Sequence, residues 1–390
     1  MMHGLRRLKN IAFVHLPILL KVEAKRRWPT LFDRVPLRAT AAWLNPTDNC
    51  NMRCIMCNQW RVTKTDELTT QEWKDVLGQL KEAGIEKVGL NGGEPLLRKD
   101  IVDIVAHISS LGLSPALITS GYLLDENKLD ALIAAGLQHL TVSIDRVGEE
   151  YEKIRHREWP RVENAARLVA RRYNEGKVDA NIGFVVMHAT LGHLPGVRRF
   201  AGELGLPLML SLVDSTPFFF QIPENEHAAK DTNWVAPPDR PRLKDLQREL
   251  VEMKSGSRAS MVNTYADLDY MSSYFSDPLQ ADVPCTVSQL RIMINSHGEV
   301  YGGCWSMGSY GCLRKQSLRE ILSSDAYRRA HRAMFYKECP GCCCGYTTNV
   351  RYSLPLQWRD QLFRLLPARR RTIFAGAPGR TIAEKEPAAL

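Results

Sequence analysis

Short apolar runs alternate with longer amphipathic stretches from about residue 40 to residue 213. The apolar runs fall at 41–44, 87–90, 116–119, 140–144, 182–187 and 208–213. Stretches of helical period fall at 70–83, 100–111, 125–135, 161–175 and 193–204. Strands separated by helices of this length predict a parallel sheet joined by right-handed crossovers. Six such strands are too few for a closed eight-stranded barrel and suit a partial one, an α/β fold. In such sheets the reactive groups gather at the carboxyl ends of the strands. The unusual residues of this chain fall there: Cys50, Cys54 and Cys57 after the first strand, Gly92-Gly93-Glu94 after the second, Ser120-Gly121 after the third and Asp145 after the fourth.

The pattern breaks after Val213. Residues 214–241 are rich in Pro and Phe and read as a connection or lid. A helix around 242–254 completes a connecting segment over 214–282. A cysteine-rich module spans 283–347, and 348–390 reads as a basic helix with an Ala/Pro-rich tail. Residues 1–39 form a basic, partly apolar leader. Its apolar run, 11–20, is too short to span a bilayer, which needs about 20 residues. Lys21, Glu23, Lys25, Arg26 and Arg27 follow where a signal peptide would place small residues. A cytoplasmic protein is expected, with the leader packed on its body; peripheral contact with a membrane is the less favoured reading.

Composition narrows this only slightly. A 390-residue chain that is 44% hydrophobic can build a sizeable core, which excludes global disorder. The net charge of +9 is mild for this length, and no run reaches five like charges, so nucleic acid is not an expected partner.

The ten cysteines change the picture more. They are absent between 58 and 284, and Cys342, Cys343 and Cys344 are adjacent. That placement is awkward for disulfides and natural for metal. Residues 50–57, Cys-Asn-Met-Arg-Cys-Ile-Met-Cys, have the spacing C-x3-C-x2-C; chance at this cysteine frequency gives about 0.007 matches per chain. Three thiolates on one short loop can grip three irons of a cubane cluster and leave the fourth open for a small molecule. A structural zinc loop with a fourth ligand from elsewhere is the alternative.

The loop resembles the signature of the radical S-adenosylmethionine superfamily, which follows the first strand of a partial (β/α)6 TIM-like barrel. The resemblance continues in Asn91-Gly92-Gly93-Glu94-Pro95, similar to the second-strand motif that holds the amino group of S-adenosylmethionine. Two glycines permit close backbone approach, and Glu94 offers an anionic partner for an ammonium. Thr119-Ser120-Gly121 and Ser143-Ile144-Asp145, followed by Tyr151 and Arg155, resemble later family segments. The resemblance implies that Ser143 and Arg155 touch the ribose and carboxylate, Arg155 as a carboxylate fork.

Downstream, Cys285 and Cys304 flank a hairpin-like stretch, and Cys339-Pro-Gly-Cys342 follows a helical one. Four such ligands close a cluster. This resembles the SPASM and twitch extensions of the same superfamily. The further cysteines of a full SPASM domain are not evident, which implies one auxiliary four-iron cluster on Cys285, Cys304, Cys339 and Cys342, with Cys343 and Cys344 as competing ligands and Cys312 left free. A structural zinc is again the alternative.

The resemblance implies a bound 4Fe–4S cluster, S-adenosylmethionine and a reductant such as flavodoxin or ferredoxin. The reaction would begin with reductive cleavage of S-adenosylmethionine to a 5′-deoxyadenosyl radical that takes a hydrogen atom from substrate. An auxiliary cluster could accept the substrate's electron, so oxidation of a small-molecule substrate such as a sugar or aminocyclitol is expected first. Modification of a peptide or lipid-linked substrate is the alternative, because residues 1–39 look too short for a peptide-leader-binding domain. A non-catalytic iron–sulfur or zinc scaffold is the reading from another class. No catalytic acid or base is identified; Tyr122, His188, Asp214, Tyr301 and Trp305 are cavity candidates by position only.

Overall fold

The computed structural model describes residues 16–32, 39–57, 59–61, 66–213, 235–256, 261–276, 284–305 and 307–339. Asp214, Cys342, Cys343, Cys344, the tail over 348–390, all of 1–15 and most of 214–241 lie outside the described residues.

The alternation read from the sequence is realised as an α/β partial barrel. Strands β1 (Ala41–Thr47), β2 (Lys87–Gly92), β3 (Ser114–Thr119), β4 (His139–Ser143), β5 (Asp179–Val186) and β6 (Leu208–Leu212) run parallel in that spatial order. Before them come α1 (Leu16–Arg27) and the one-turn α2 (Pro29–Phe32). The crossovers are α3 (Thr70–Glu82), α4 (Ile101–Ser110), α5 (Glu126–Ala134), the pair α6 (Glu149–Arg155) and α7 (Trp159–Asn174), and α8 (Leu194–Leu204). The connecting segment contributes α9 (Arg240–Gly256) and α10 (Tyr265–Tyr274).

Helix α3 shows how local sequence sets an element. Thr69 and Glu72 form a reciprocal capping box that satisfies otherwise orphaned N–H groups, and Trp73, Val76, Leu77 and Leu80 recur at helical spacing and are buried. Each such side chain contributes about 1.5–3 kcal/mol of transfer free energy. The β3 strand alternates half-buried and buried positions, as expected for a strand whose outer face packs under helices and whose inner face lines a lumen.

Among the described residues the sheet does not close. One edge is β6. At the other, β7 (Arg291–Ile294) pairs in parallel with β1, Ala41 opposite Arg291, and continues into antiparallel β8 (Glu299–Tyr301) and β9 (Gly311–Cys312). The cysteine-rich module therefore shares one nine-stranded sheet with the barrel. Its remaining helices are α11 (Val287–Leu290), α12 (Leu318–Ser323) and α13 (Asp325–Phe335). The β7–β8 turn is shaped by Asn295, whose Oδ1 accepts from the His297 and Glu299 N–H groups, and by Gly298 at φ +83°. Arg314 ties the module to α3 through Glu72. Among the described residues no helix is long and apolar enough to cross a membrane.

Candidate functional site

At the end of β1 the chain turns directly into the cysteine loop. Glu67 anchors the turn: its carboxylate accepts from the Thr47 hydroxyl and the Asp48 N–H, both at 2.8 Å. Asp48 is buried and accepts from Gln59 at 2.9 Å and from Ser296 of the β7–β8 turn at 2.7 Å. The far side of the loop rests on the end of α6, where the Arg53 and Ile55 N–H groups donate to the Arg155 and Ile154 carbonyls.

The Gly92-Gly93-Glu94 turn is knitted to the same loop. The Gly93 N–H donates to Thr47 O at 3.0 Å and the Glu94 N–H to Asn49 O at 2.8 Å. A Cβ at Gly93 would stand 2.0 Å from the Asn49 carbonyl oxygen, and Gly92 sits at φ +105°. Only glycine permits this approach.

Glu94 is 2% exposed. One carboxylate oxygen accepts from the Thr119 hydroxyl at 2.7 Å and Leu96 N at 3.2 Å; the other accepts from the Ser120 N–H and hydroxyl at 2.9 and 2.6 Å. Thr119 and Ser120, at the end of the third strand, thus hold the second-strand carboxylate in place. A buried carboxylate given donors but no guanidinium or ammonium partner is suited to receive a cationic ligand group.

Arg155 ends α6 beside the cysteine loop. Its fork is engaged within the protein: Nε and Nη2 donate to Asp145 Oδ2 at 2.9 and 2.6 Å, while Nη1 reaches toward Cys54 Sγ at 3.7 Å. Asp145 is fully buried and accepts also from the Val185 N–H at 2.7 Å. Burial by itself would lower the guanidinium pKa, but the Asp145 charge offsets it and holds Arg155 firmly cationic. Arg155 is thereby held as a fixed positive charge beside the Cys54 thiol. Sequence reasoning had marked Asp145 by its strand-end position alone and missed this pairing. Ser143 ends β4 half-buried, opposite Gly183 of β5.

Burial raises all three loop thiols above the ordinary 9.0, Cys50 to about 11 and Cys57 to about 12; at Cys54 the same effect is opposed by Arg155. The thiols also feel one another's charge, and Cys50 feels Glu94. Among the described residues no three His, Cys, Asp or Glu side chains gather around a single-ion position. Three thiols on one short loop are nevertheless the donor chemistry that a four-iron cluster takes. Around it, both side-chain polar atoms of Asn51, the Tyr151 hydroxyl and Asn91 Oδ1 are buried without hydrogen-bond partners. Such orphaned groups fit a site completed by a polar ligand.

The second cysteine group also converges in part. Cys285 and Cys304 pack with Val287 and Met334, and Cys339, Met307 and Tyr310 lie against them. Cys312 is elsewhere, in β9, with its thiol on the His297 carbonyl at 3.5 Å. No disulfide links the described cysteines.

The positional candidates for acid–base work are engaged otherwise. The Tyr122 hydroxyl donates to Glu158, His188 Nδ1 lies 2.9 Å from Asp239, and Tyr301 donates to Glu299 while its ring meets Trp305. A groove of about 850 Å³ lies between α3 and the residues from Leu313 to Ser323, but none of the cysteines, Glu94 or Arg155 lines it.

The profile of the Radical SAM superfamily matches residues 44–193. The chain is 31% identical over 231 residues to the PqqA peptide cyclase of Bradyrhizobium diazoefficiens, covering 59% of this chain and 52% of that protein. It is 36% identical over 162 residues to the PqqA peptide cyclase of Gluconobacter oxydans, covering 41% and 45%. The chain thus spans about half the length of the curated relatives it matches. Its fold resembles Streptococcus suis SuiB bound to S-adenosylmethionine, with TM-score 0.60, 14% identity, and 80% and 72% of the two chains covered. It also resembles anSMEcpe with bound AdoMet, with TM-score 0.59, 17% identity, and 85% and 99% covered. Residues 44–193, which include the thiol loop and the glycine turn, match the superfamily: this chain carries a radical SAM domain there.

Proposed function

We propose that this chain is a radical S-adenosylmethionine enzyme that modifies a peptide. The observation that carries the reading is the convergence of Cys50, Cys54 and Cys57 with buried Glu94 and the Asp145–Arg155 pair at one mouth of the barrel. Cys50, Cys54 and Cys57 would hold a 4Fe–4S cluster, and the Gly92-Gly93 backbone with Glu94 would receive the ammonium of S-adenosylmethionine. Ser143 and Arg155 would meet its ribose and carboxylate, Arg155 through Nη1, which also donates to Cys54 Sγ. When bound, these groups supply reductive cleavage to a 5′-deoxyadenosyl radical and removal of a hydrogen atom from substrate. The protein's own part is to orient the ligands, keep the fixed charge of Arg155 beside Cys54 and exclude water.

The peptide replaces the small polar metabolite that the sequence favoured. Two curated relatives named PqqA peptide cyclase support it, and SuiB, a fold neighbour, has been solved bound to precursor peptide SuiA. Neither a sugar nor an aminocyclitol gains comparable support. Cys285, Cys304 and Cys339 would hold one auxiliary four-iron cluster, with the fourth ligand from residues 342–344, and a flavodoxin or ferredoxin would deliver the electrons.

The test is anaerobic reconstitution followed by S-adenosylmethionine and dithionite. The wild type is expected to hold about eight irons and release 5′-deoxyadenosine, and the triple Cys50→Ala, Cys54→Ala, Cys57→Ala variant to lose about four irons and all product. A short peptide encoded beside the gene should then lose two hydrogen atoms by mass spectrometry. Absence of 5′-deoxyadenosine refutes the radical assignment; its formation with oxidation of a sugar and not of the peptide refutes the substrate class.

A further inference from the structure

Six large apolar side chains are exposed among the described residues. Four of them fall here: Leu16 and Leu20 on α1, Trp28 between the helices and Leu31 on α2. The helix is not loosely placed. Ile18 and Val22 are buried against Leu290 and Phe335, and the buried Lys25 sets its ammonium 5.6 Å over the Phe335 ring. Positions 18, 22 and 25 are one helical face, now fixed to α11 and α13. Leu16 and Leu20, one turn apart, are thereby held on the outside at 47% and 58% exposure, and Leu31 at 71%. The leader packs on the body as the sequence led one to expect, but by one face only.

The outward face carries a distinct second chemistry. Lys21 and Arg27 are exposed, the Arg27 guanidinium lies 5.8 Å from the Trp28 ring centre, and Glu23, the one acidic residue of α1, is paired with Arg26. Leucines with an aromatic at their rim and basic residues alongside match the boundary between acyl chains and anionic headgroups. A second copy of this chain is a poorer occupant, because a two-fold contact would bring the same basic residues against each other.

From this face we infer that α1 and α2 form a docking surface for an anionic lipid bilayer, which would hold the enzyme at a membrane surface without spanning it. The inference does not depend on which substrate the barrel accepts.

The test is co-sedimentation of the full chain, purified anaerobically, with phosphatidylcholine vesicles and with vesicles containing about 30% phosphatidylglycerol. Binding to the anionic vesicles is expected to be about a hundredfold tighter, and to weaken as salt is raised. The double variant Leu20→Asp, Leu31→Asp should lose that binding while keeping its thermal midpoint and 5′-deoxyadenosine yield. Failure of the wild type to pellet, equal binding to both vesicle types, or unchanged binding by the double variant overturns the inference. So does a wild-type dimer that the double variant converts to monomer, which would assign the face to a second copy.

Discussion

Replacing Asp145 with Asn removes a charge from the most deeply buried ion pair at the site while keeping its shape. Asp145 is fully buried and the Arg155 side chain is 9% exposed, so solvent screens the pair little. Two guanidinium N–H groups at 2.6 and 2.9 Å and the Val185 N–H at 2.7 Å converge on the carboxylate. An Asn carbonyl can still accept one of these bonds, but its amide nitrogen meets a donor, and Arg155 becomes a buried cation without a counter-charge. Breaking a buried pair from one side costs about 3–5 kcal/mol. For a cooperative unit the size of this barrel that corresponds to a fall of about 6–20 °C in thermal midpoint. The effect should reach the cysteine loop, because the Arg53 and Ile55 N–H groups are tied to the Arg155 and Ile154 carbonyls. The assay is thermal unfolding together with iron content after anaerobic reconstitution, for Asp145→Asn, Arg155→Met and the double variant. The double variant, having lost both charges, should recover a large part of the stability. A single variant within about 1 kcal/mol of wild type, with full iron content, would refute the claim that this pair fixes the loop.

Two further outcomes are expected. Gly93→Ala should destabilise the chain by about 1–3 kcal/mol and reduce iron retention, since its Cβ would press on the Asn49 carbonyl at 2.0 Å, whereas Gly78→Ala, in open space on α3, should stabilise by about 0.5–1 kcal/mol; equal thermal midpoints for the two would contradict the close-approach argument. Burial raises the Cys50 and Cys57 pKa values from 9.0 to about 11 and 12, so the cluster-free fold favours neutral thiols: their contribution is complete below pH 9 and is lost as pH rises toward 11 to 12. The unfolding midpoint of the cluster-free wild type should accordingly fall relative to a Cys50→Ala, Cys57→Ala variant above pH 9, and parallel curves would refute burial as the cause.

The alternation of apolar runs and helical stretches foretold the six strands and their order of appearance, with ends displaced by a few residues. The spacing of Cys50, Cys54 and Cys57 and the paired Gly92 and Gly93 stand out in the sequence for a similar reason, being local signals. Helix α6 was missed: seven residues are too few to show a period, and its three acidic residues read as loop. Helix α10 was missed for a related reason, its small and polar residues giving no clear stripe.

By itself, the sequence determined the kind of fold and the kind of site: period-2 and period-3.6 patterns choose strands and helices, and a C-x3-C-x2-C loop with Gly92-Gly93-Glu94 at two strand ends limits what can bind. Only the tertiary structure decided how those residues are used. Glu94 meets Thr119 and Ser120, and Arg155 meets Asp145, across strands that the sequence cannot register against one another. The same holds for β7, which joins β1 across some 250 residues of chain, and for α1, whose inner and outer faces are defined only by what it packs against. Pairing energy depends on distances of a few ångströms, and those distances are fixed by packing of the whole sheet rather than by any local run of residues.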